Sequence, residues 1–172
     1  MPLIAATKGH KPEAKHAPAA KAGTTGKTSP TDAISLLKAD HREVKGWFEA
    51  YEGSSSKAAK AELSSKICAA LKVHSRIEEE IFYPAARAAT KDDDLLDEEL
   101  VEHAAAKDLI AQIETMSVGD DLYDAKVKVL SEEILHHVKE EEGELFPEVK
   151  ASKLDLDAVG AKLAKRKAEL TR

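Results

Sequence analysis

The sequence predicts an all-α protein: an antiparallel up-down-up-down four-helix bundle followed by a short C-terminal helix. Helix-forming Ala, Leu, Lys and Glu are abundant, and four of the six prolines lie within the first 30 residues, which leaves few helix breakers elsewhere. Apolar residues recur every three or four positions over four long segments, as on the buried face of a helix. The connections between these segments are short, so neighbouring helices are expected to run antiparallel.

The chain divides into three predicted segments. Residues 1–28 form a basic tail that we expect to be disordered, because it has no core-forming pattern. Its five lysines and one glutamate give a net charge of +4, so the rest of this chain of net charge −6 carries −10. Residues 29–150 form the predicted bundle. Residues 151–172 contain a predicted amphipathic helix, from about Asp155 to Leu170, that packs on the outside of the bundle.

Each bundle helix has local start and stop signals. Ser29 is the predicted N-cap of the first helix, and residues 53–56 end that helix and cap the second. Residues 92–94 open the third helix, and residues 119–121 separate it from the fourth. The predicted buried faces are Ile34, Leu37, His41, Val44, Phe48 and Tyr51; Leu63, Ile67, Ala70, His74, Glu78 and Ile81; Leu96, Leu100, His103, Ile110 and Ile113; and Tyr123, Val127, Leu130, Ile134, His137, Glu141 and Leu145.

Composition argues against several classes of protein. A single cysteine, Cys68, excludes an internal disulfide and a cysteine-based zinc site. No apolar run approaches the roughly 20 residues that cross a membrane, and the N-terminus lacks a signal-peptide pattern. The acidic body argues against nucleic acid as the main partner. We therefore expect a cytoplasmic protein with no membrane or nucleic-acid partner.

The second and fourth helices repeat one passage. A His-x-x-x-Glu pair begins at residue 74 and again at residue 137, and a proline follows each of these histidines by ten residues. A lone core histidine precedes the two pairs by 33 and 34 residues. The chain is therefore a doubled helical hairpin. Its candidate metal ligands are His41, His74, Glu78, His103, His137 and Glu141.

The spacing of these residues indicates a shared site. Residues four apart on a helix differ by about 40° of rotation and 6 Å of rise, so both side chains of each pair reach one place. Imidazoles and carboxylates without a thiolate suit iron or manganese, with zinc possible. Two cations would neutralise the two buried glutamates, which could bridge them. The flanking acids Glu79 and Glu142 are predicted to be solvated, and so are Asp40 and Glu102, which could instead orient an imidazole. His136 is predicted to lie off the buried face.

This ligand pattern resembles that of the hemerythrin-like (HHE cation-binding) family over about residues 30–150. The resemblance implies a non-haem centre of two iron ions joined by an oxo or hydroxo bridge; manganese and zinc are less expected. Its small-molecule partners would be oxygen, peroxide or nitric oxide. The six candidate residues would be the ligands, with Glu78 and Glu141 bridging the metals.

Two positions depart from the oxygen-carrying hemerythrins. Those proteins have a second histidine four residues after the third-helix histidine, where this chain has Lys107, and an aspartate at the position of Glu142. Fewer protein donors leave more open coordination positions, which favours reaction with peroxide over oxygen storage. Tyr51 lies about 15 Å of helix rise from His41, too far to act as a substitute ligand.

The sequence thus predicts a di-iron protein that binds or reacts with oxygen-derived small molecules and decomposes hydrogen peroxide in a catalase-like reaction. Two alternatives remain open. One is a non-catalytic sensor or binding module for iron, oxygen or nitric oxide. The other is a structural bundle that holds a single zinc.

Overall fold

The computed structural model describes residues 32–90 and 93–172, so the predicted tail lies outside the described part of the chain. Four helical rods and a C-terminal helix make up the described residues, which confirms the predicted all-α bundle. Two five-residue π-helical segments interrupt the second and fourth rods without breaking them. The elements are α1 (Ala33–Glu52), α2 (Lys57–Ile77), π1 (Glu78–Phe82), α3 (Tyr83–Thr90), α4 (Asp93–Glu114), α5 (Tyr123–Glu140), π2 (Glu141–Leu145), α6 (Phe146–Ala151) and α7 (Leu156–Leu170).

Contacts at one end of the bundle give the helix directions. The Tyr51 hydroxyl donates a 2.6 Å hydrogen bond to Asp124, and Lys60 donates to the same carboxylate at 3.0 Å. Tyr51 follows His41 along α1, whereas Lys60 precedes His74 along α2. Because both lie at the same end of the bundle, α1 and α2 are antiparallel. Lys126 donates to Gln112 at the same end, which makes α4 and α5 antiparallel as well. The predicted up-down-up-down order is confirmed.

The first helix begins later than its sequence signals suggested. Asp32 is the N-cap of α1 and accepts a 3.0 Å hydrogen bond from the backbone N–H of Ser35. The predicted start at Ser29 is therefore wrong, and Ser29 itself lies outside the described residues. Ser56 caps α2 as predicted. In both cases a short polar side chain satisfies a backbone donor that the first helical turn leaves unpaired.

Both rods that contain a π segment continue past an internal proline. Pro84 and Pro147 are the second residues of α3 and α6, immediately after π1 and π2. A proline supplies no backbone N–H and its ring crowds the preceding turn, and a wider π turn accommodates both effects. The rods therefore extend to Thr90 and Ala151.

Two apolar clusters fill the bundle, one on each side of a central polar layer. One cluster includes Leu37, Phe82 and Phe146, and the other includes Val44 and Ile110. Helix α7 packs against the first cluster across α1 and α2, as predicted for an outer helix. Within the described residues, no helix combines the length and the apolar character that crossing a membrane requires.

One predicted core position is wrong. Leu100 was expected on the buried face of α4, but 40% of its surface is exposed, and the adjacent Glu99 is buried instead, at 1% exposure. The spacing from Leu96 to His103 is seven residues, so either position 99 or position 100 fits between them on a helical face. The apolar residue was the natural choice from sequence, and the fold selects the carboxylate.

Candidate metal centre

The central polar layer contains all six side chains predicted as ligands. Each of the four main helices contributes one buried histidine, and each π segment begins with a fully buried glutamate. The layer lies between the two apolar clusters, because each histidine replaces one apolar residue in its helical stripe. These residues are His41 (α1), His74 (α2), Glu78 (π1), His103 (α4), His137 (α5) and Glu141 (π2).

The four imidazoles form two facing pairs. The Nε2 atoms of His41 and His74 are 3.0 Å apart, and those of His103 and His137 are 3.3 Å apart. The duplication seen in the sequence thus recurs in space, because each pair joins the two helices of one hairpin. We call the surroundings of the first pair position 1 and those of the second pair position 2.

Glu78 lies between the two positions. Its Oε1 is 3.1 Å from the Nε2 of His74 in position 1, and its Oε2 is 3.4 Å from the Nε2 of His103 in position 2. Glu141 contacts position 1, with Oε2 3.3 Å from the Nε2 of His41. Four side chains (His41, His74, Glu78 and Glu141) therefore surround position 1, and Glu78, His103 and His137 surround position 2.

The layer fits a cation better than it fits internal hydrogen bonding. All four carboxylate oxygens of Glu78 and Glu141 are buried and have no hydrogen-bond partner among the described residues. Buried polar atoms of native proteins rarely lack a partner. Two nitrogens that are each about 2.1 Å from a common cation lie about 3 Å apart when their angle at the cation is near 90°. The facing Nε2 atoms match that separation.

Burial and mutual charge shift the protonation of the layer. Burial opposes protonation of His74, but the charge of Glu78 and the hydrogen bond to Asp40 raise its pKa to about 10. Burial opposes the ionisation of Glu78, yet the charges of His74 and His103 hold its pKa well below the usual range. Burial and the charge of Glu78 raise the pKa of Glu141. A cation that binds here would take the place of these shared protons.

The acidic residues beside the ligands are predicted to be solvated, but in the structure they contact the outer Nδ1 atoms of the imidazoles. A carboxylate behind an imidazole fixes its orientation and makes it a stronger ligand. The sequence favours a solvated position for these acids, because they also fit an ordinary charged helix face, and it leaves an orienting role open for Asp40 and Glu102. The Nδ1 contacts are His41 to Glu142 at 3.0 Å, His74 to Asp40 at 3.4 Å, His103 to Glu79 at 3.0 Å, and His137 to Glu102 at 3.0 Å.

Two neighbours of the ligands lie outside the layer. His136 is mostly exposed and contacts Glu102 and Glu140, which agrees with its predicted place off the buried face. Lys107 occupies the position of the additional histidine of oxygen carriers, and its Nζ donates to Glu79 at 2.5 Å. Lys107 is therefore paired with a carboxylate and adds no donor to the layer.

Tyr83 reaches the layer although sequence reasoning did not select it. Its hydroxyl oxygen is 3.3 Å from the Nε2 of His103, whereas Tyr51 points to Asp124, far from the site, as expected. In an α-helix, Tyr83 would lie about 140° around the axis from Glu78. The π turn places it over Glu78, because its backbone N–H bonds to the carbonyl five residues earlier. Phe146 occupies the matching position of the other half and stacks on His41.

A small cavity adjoins the imidazoles on the side of the second apolar cluster. Its volume is about 20 Å³, which is room for roughly one or two water-sized molecules. Apolar side chains, including Val44, Leu71, Ile110 and Ile134, form most of its wall beside the four histidines. The cavity suits a very small ligand.

A four-helix bundle with a buried layer of paired histidines and glutamates defines a cation-binding helical domain. The family model "Hemerythrin HHE cation binding domain" matches residues 32–149. The chain therefore belongs to the hemerythrin HHE cation-binding family.

Two individual proteins illustrate the relationship. A crystal structure of a hemerythrin HHE cation-binding domain-containing protein from Mycobacterium kansasii superposes with a TM-score of 0.69 at 25% identity, over 81% of this chain and 87% of that one. A protein of Nostoc sp. named DNA nickase is 28% identical over 116 residues, which are 67% of this chain and 32% of that protein. The chain thus spans about a third of the length of this curated relative.

Proposed function

We propose that the chain is a cytoplasmic di-iron protein that reacts with oxygen-derived small molecules and decomposes hydrogen peroxide. The observation that carries the proposal is the placement of Glu78, which directs one carboxylate oxygen to each histidine pair. A carboxylate shared in this way holds two cations side by side. The ligand chemistry of the family, imidazole and carboxylate without thiolate, favours iron over softer metals.

Each residue has a distinct role in this proposal. His41 and His74 would hold one iron, and His103 and His137 the other, with Glu78 shared between them. Glu141, which is 3.3 Å from His41, would complete position 1 and bridge towards position 2. The Tyr83 hydroxyl, beside His103, offers position 2 a further oxygen donor.

The proposed chemistry follows from the small number of protein donors around each cation position and from the small cavity. When bound, two iron ions would supply two-electron redox chemistry, in which one peroxide is oxidised to oxygen while another is reduced to two waters. The two protons lost by the first peroxide are taken up by the second. Lys107 pairs with Glu79 and adds no ligand, so position 2 keeps fewer protein donors than an oxygen carrier provides. The cavity of about 20 Å³ has room for a molecule as small as peroxide.

The test combines a metal count with peroxide turnover. Protein as isolated should contain two irons per chain, and iron-loaded protein should release oxygen from hydrogen peroxide faster than the same amount of free iron. Glu78→Gln should lose metal and turnover together, because it disturbs both positions. Glu144→Gln, at an exposed position of π2, is the matched control and should behave as wild type.

Other outcomes identify the alternatives. Two irons without turnover, together with a reversible oxygen or nitric oxide adduct, would indicate that the chain is a sensor or carrier and not an enzyme. One colourless zinc would indicate a structural site. The name of the Nostoc relative does not lead us to propose DNA nicking, since the match covers 32% of that protein and residues 29–172 carry a net charge of −10.

A further inference from the structure

The two proposed cation positions differ in the charge that lies behind their imidazoles. Behind three of the four histidines, the carboxylate that contacts Nδ1 is itself paired with a lysine. Each of these lysines offsets the negative charge of its carboxylate. The pairs are Lys38 with Glu142 at 2.6 Å, Lys167 with Asp40 at 2.5 Å, and Lys107 with Glu79 at 2.5 Å.

His137 is the exception. Two carboxylates contact its Nδ1, Glu99 at 2.6 Å and Glu102 at 3.0 Å, and neither contacts a lysine or arginine of the described residues. Apart from His137, Glu102 also contacts the exposed imidazole of His136, at 3.7 Å. Glu99 is 1% exposed, and neither of its oxygens has a hydrogen bond of good geometry among the described residues. Behind its imidazoles, position 2 therefore has a buried carboxylate without a lysine partner, which position 1 lacks, whereas position 1 has Glu141 beside it.

The duplication shows that packing alone does not require this carboxylate. Glu99 lies four residues before His103, and the equivalent residue of the first half, four before His41, is Leu37. Leu37 is fully buried in the apolar cluster. The same place in the fold thus accepts an apolar side chain, and a buried carboxylate is costly unless a positive charge compensates it.

We propose that Glu99 is a positioning residue that makes the two cation positions inequivalent, so that position 2 binds its cation first and more tightly than position 1. The inference rests on the proposed two-cation centre. Glu99 would hold the His137 ring with its Nε2 towards the cation and make that nitrogen a stronger donor. Its charge also attracts the cation through an interior that screens charge weakly.

The experiment measures the binding of Fe(II) without oxygen, in competition with a coloured chelator. Wild type should bind two irons in separate steps, the first at least tenfold tighter than the second. Glu99→Gln, which keeps the shape of the side chain and removes its charge, should weaken the first step about 10- to 100-fold. Glu98→Gln, an exposed neighbour on α4, should leave both steps unchanged.

Two double variants show at which cation position the Glu99→Gln substitution weakens iron binding. In His41→Ala, which damages position 1, adding Glu99→Gln should weaken the remaining iron by the same 10- to 100-fold. In His137→Ala, which damages position 2, adding Glu99→Gln should change the remaining affinity by no more than about twofold. A general effect of charge or folding would appear in both backgrounds.

Three outcomes would overturn the proposed role of Glu99. Equal affinities in wild type, or equal weakening of both positions by Glu99→Gln, would contradict it. Glu99→Leu, the residue that the first half carries, is expected to fold and to bind iron as Glu99→Gln does. Loss of folding in both variants, monitored by circular dichroism, would give Glu99 a purely structural role. Failure of wild type to bind two irons would instead refute the proposed function.

Discussion

At the scale of single residues, adjacent side chains of similar chemistry have different environments. His137 is buried in the layer, whereas His136 is largely exposed, and Glu141 is fully buried whereas Glu142 is partly exposed behind His41. A step of one residue on a helix is a rotation of about 100°, which is enough to move a side chain from the interior to the surface. The doubled passage in the sequence selects the buried member of each pair.

The His136–His137 pair provides a direct test of this register. His137→Ala should lose at least one metal per chain, because it removes one of the two imidazoles of position 2. His136→Ala should keep both metals, because its ring contacts only Glu102 and Glu140 near the surface. Metal analysis of the two purified variants decides between them. The opposite pattern would mean that the metal ligand is His136, one residue away from the predicted position.

At the scale of elements, the π segments determine which side chains reach the layer. Each π turn begins at a buried glutamate and directs the residue five positions later, Tyr83 or Phe146, back towards the histidines. A pattern with a period of 3.6 residues does not predict this placement, since a π turn is wider than an α turn. The α-helical parts of the same rods follow the predicted pattern.

Helix α7 should contribute measurably to stability. Leu163→Ala is expected to lower the free energy of unfolding by about 2–5 kcal/mol, because it removes a fully buried leucine from the first apolar cluster. Urea denaturation followed by circular dichroism measures the change. Lys165→Ala, at an exposed position of the same helix, is the control and should change stability by less than about 0.5 kcal/mol. Equal stability of the two variants would show that α7 is not anchored as described.

At the scale of the whole molecule, we expect the polar layer to couple metal binding to folding. The six predicted ligands are buried across the middle of the bundle, and the carboxylate oxygens of Glu78 and Glu141 have no hydrogen-bond partner among the described residues. Such groups destabilise the folded chain until a cation compensates them. The predicted ligands and the stability of the fold are therefore linked.

Removal of metal should lower the melting temperature. A cation present at 1,000 times its Kd stabilises the native state by about 4 kcal/mol. For a protein of this size, that corresponds to about 8–16 °C for each cation. Thermal melts of metal-loaded and chelator-treated protein, followed by circular dichroism, measure the shift. Identical melting temperatures would contradict the coupling.

Deletion of residues 1–28 should leave the metal centre intact. The segment has no core-forming pattern, so the bundle is expected to fold and bind metal without it. Metal content and visible spectrum of the shortened chain should match those of the full chain. Loss of iron on deletion would mean that a residue of this segment, such as His10 or His16, belongs to the site.

By itself, the sequence determined the helical class, the antiparallel bundle and the six side chains that meet at its centre. Helical periodicity and an internal duplication are local signals, so they could be recognised without a fold. Only the tertiary structure decided that Glu99 rather than Leu100 is buried, that Tyr83 reaches His103, and that the flanking acids lie behind the imidazoles. These features depend on π-helical turns and on contacts between helices that are distant in sequence, and a 3.6-residue pattern contains neither.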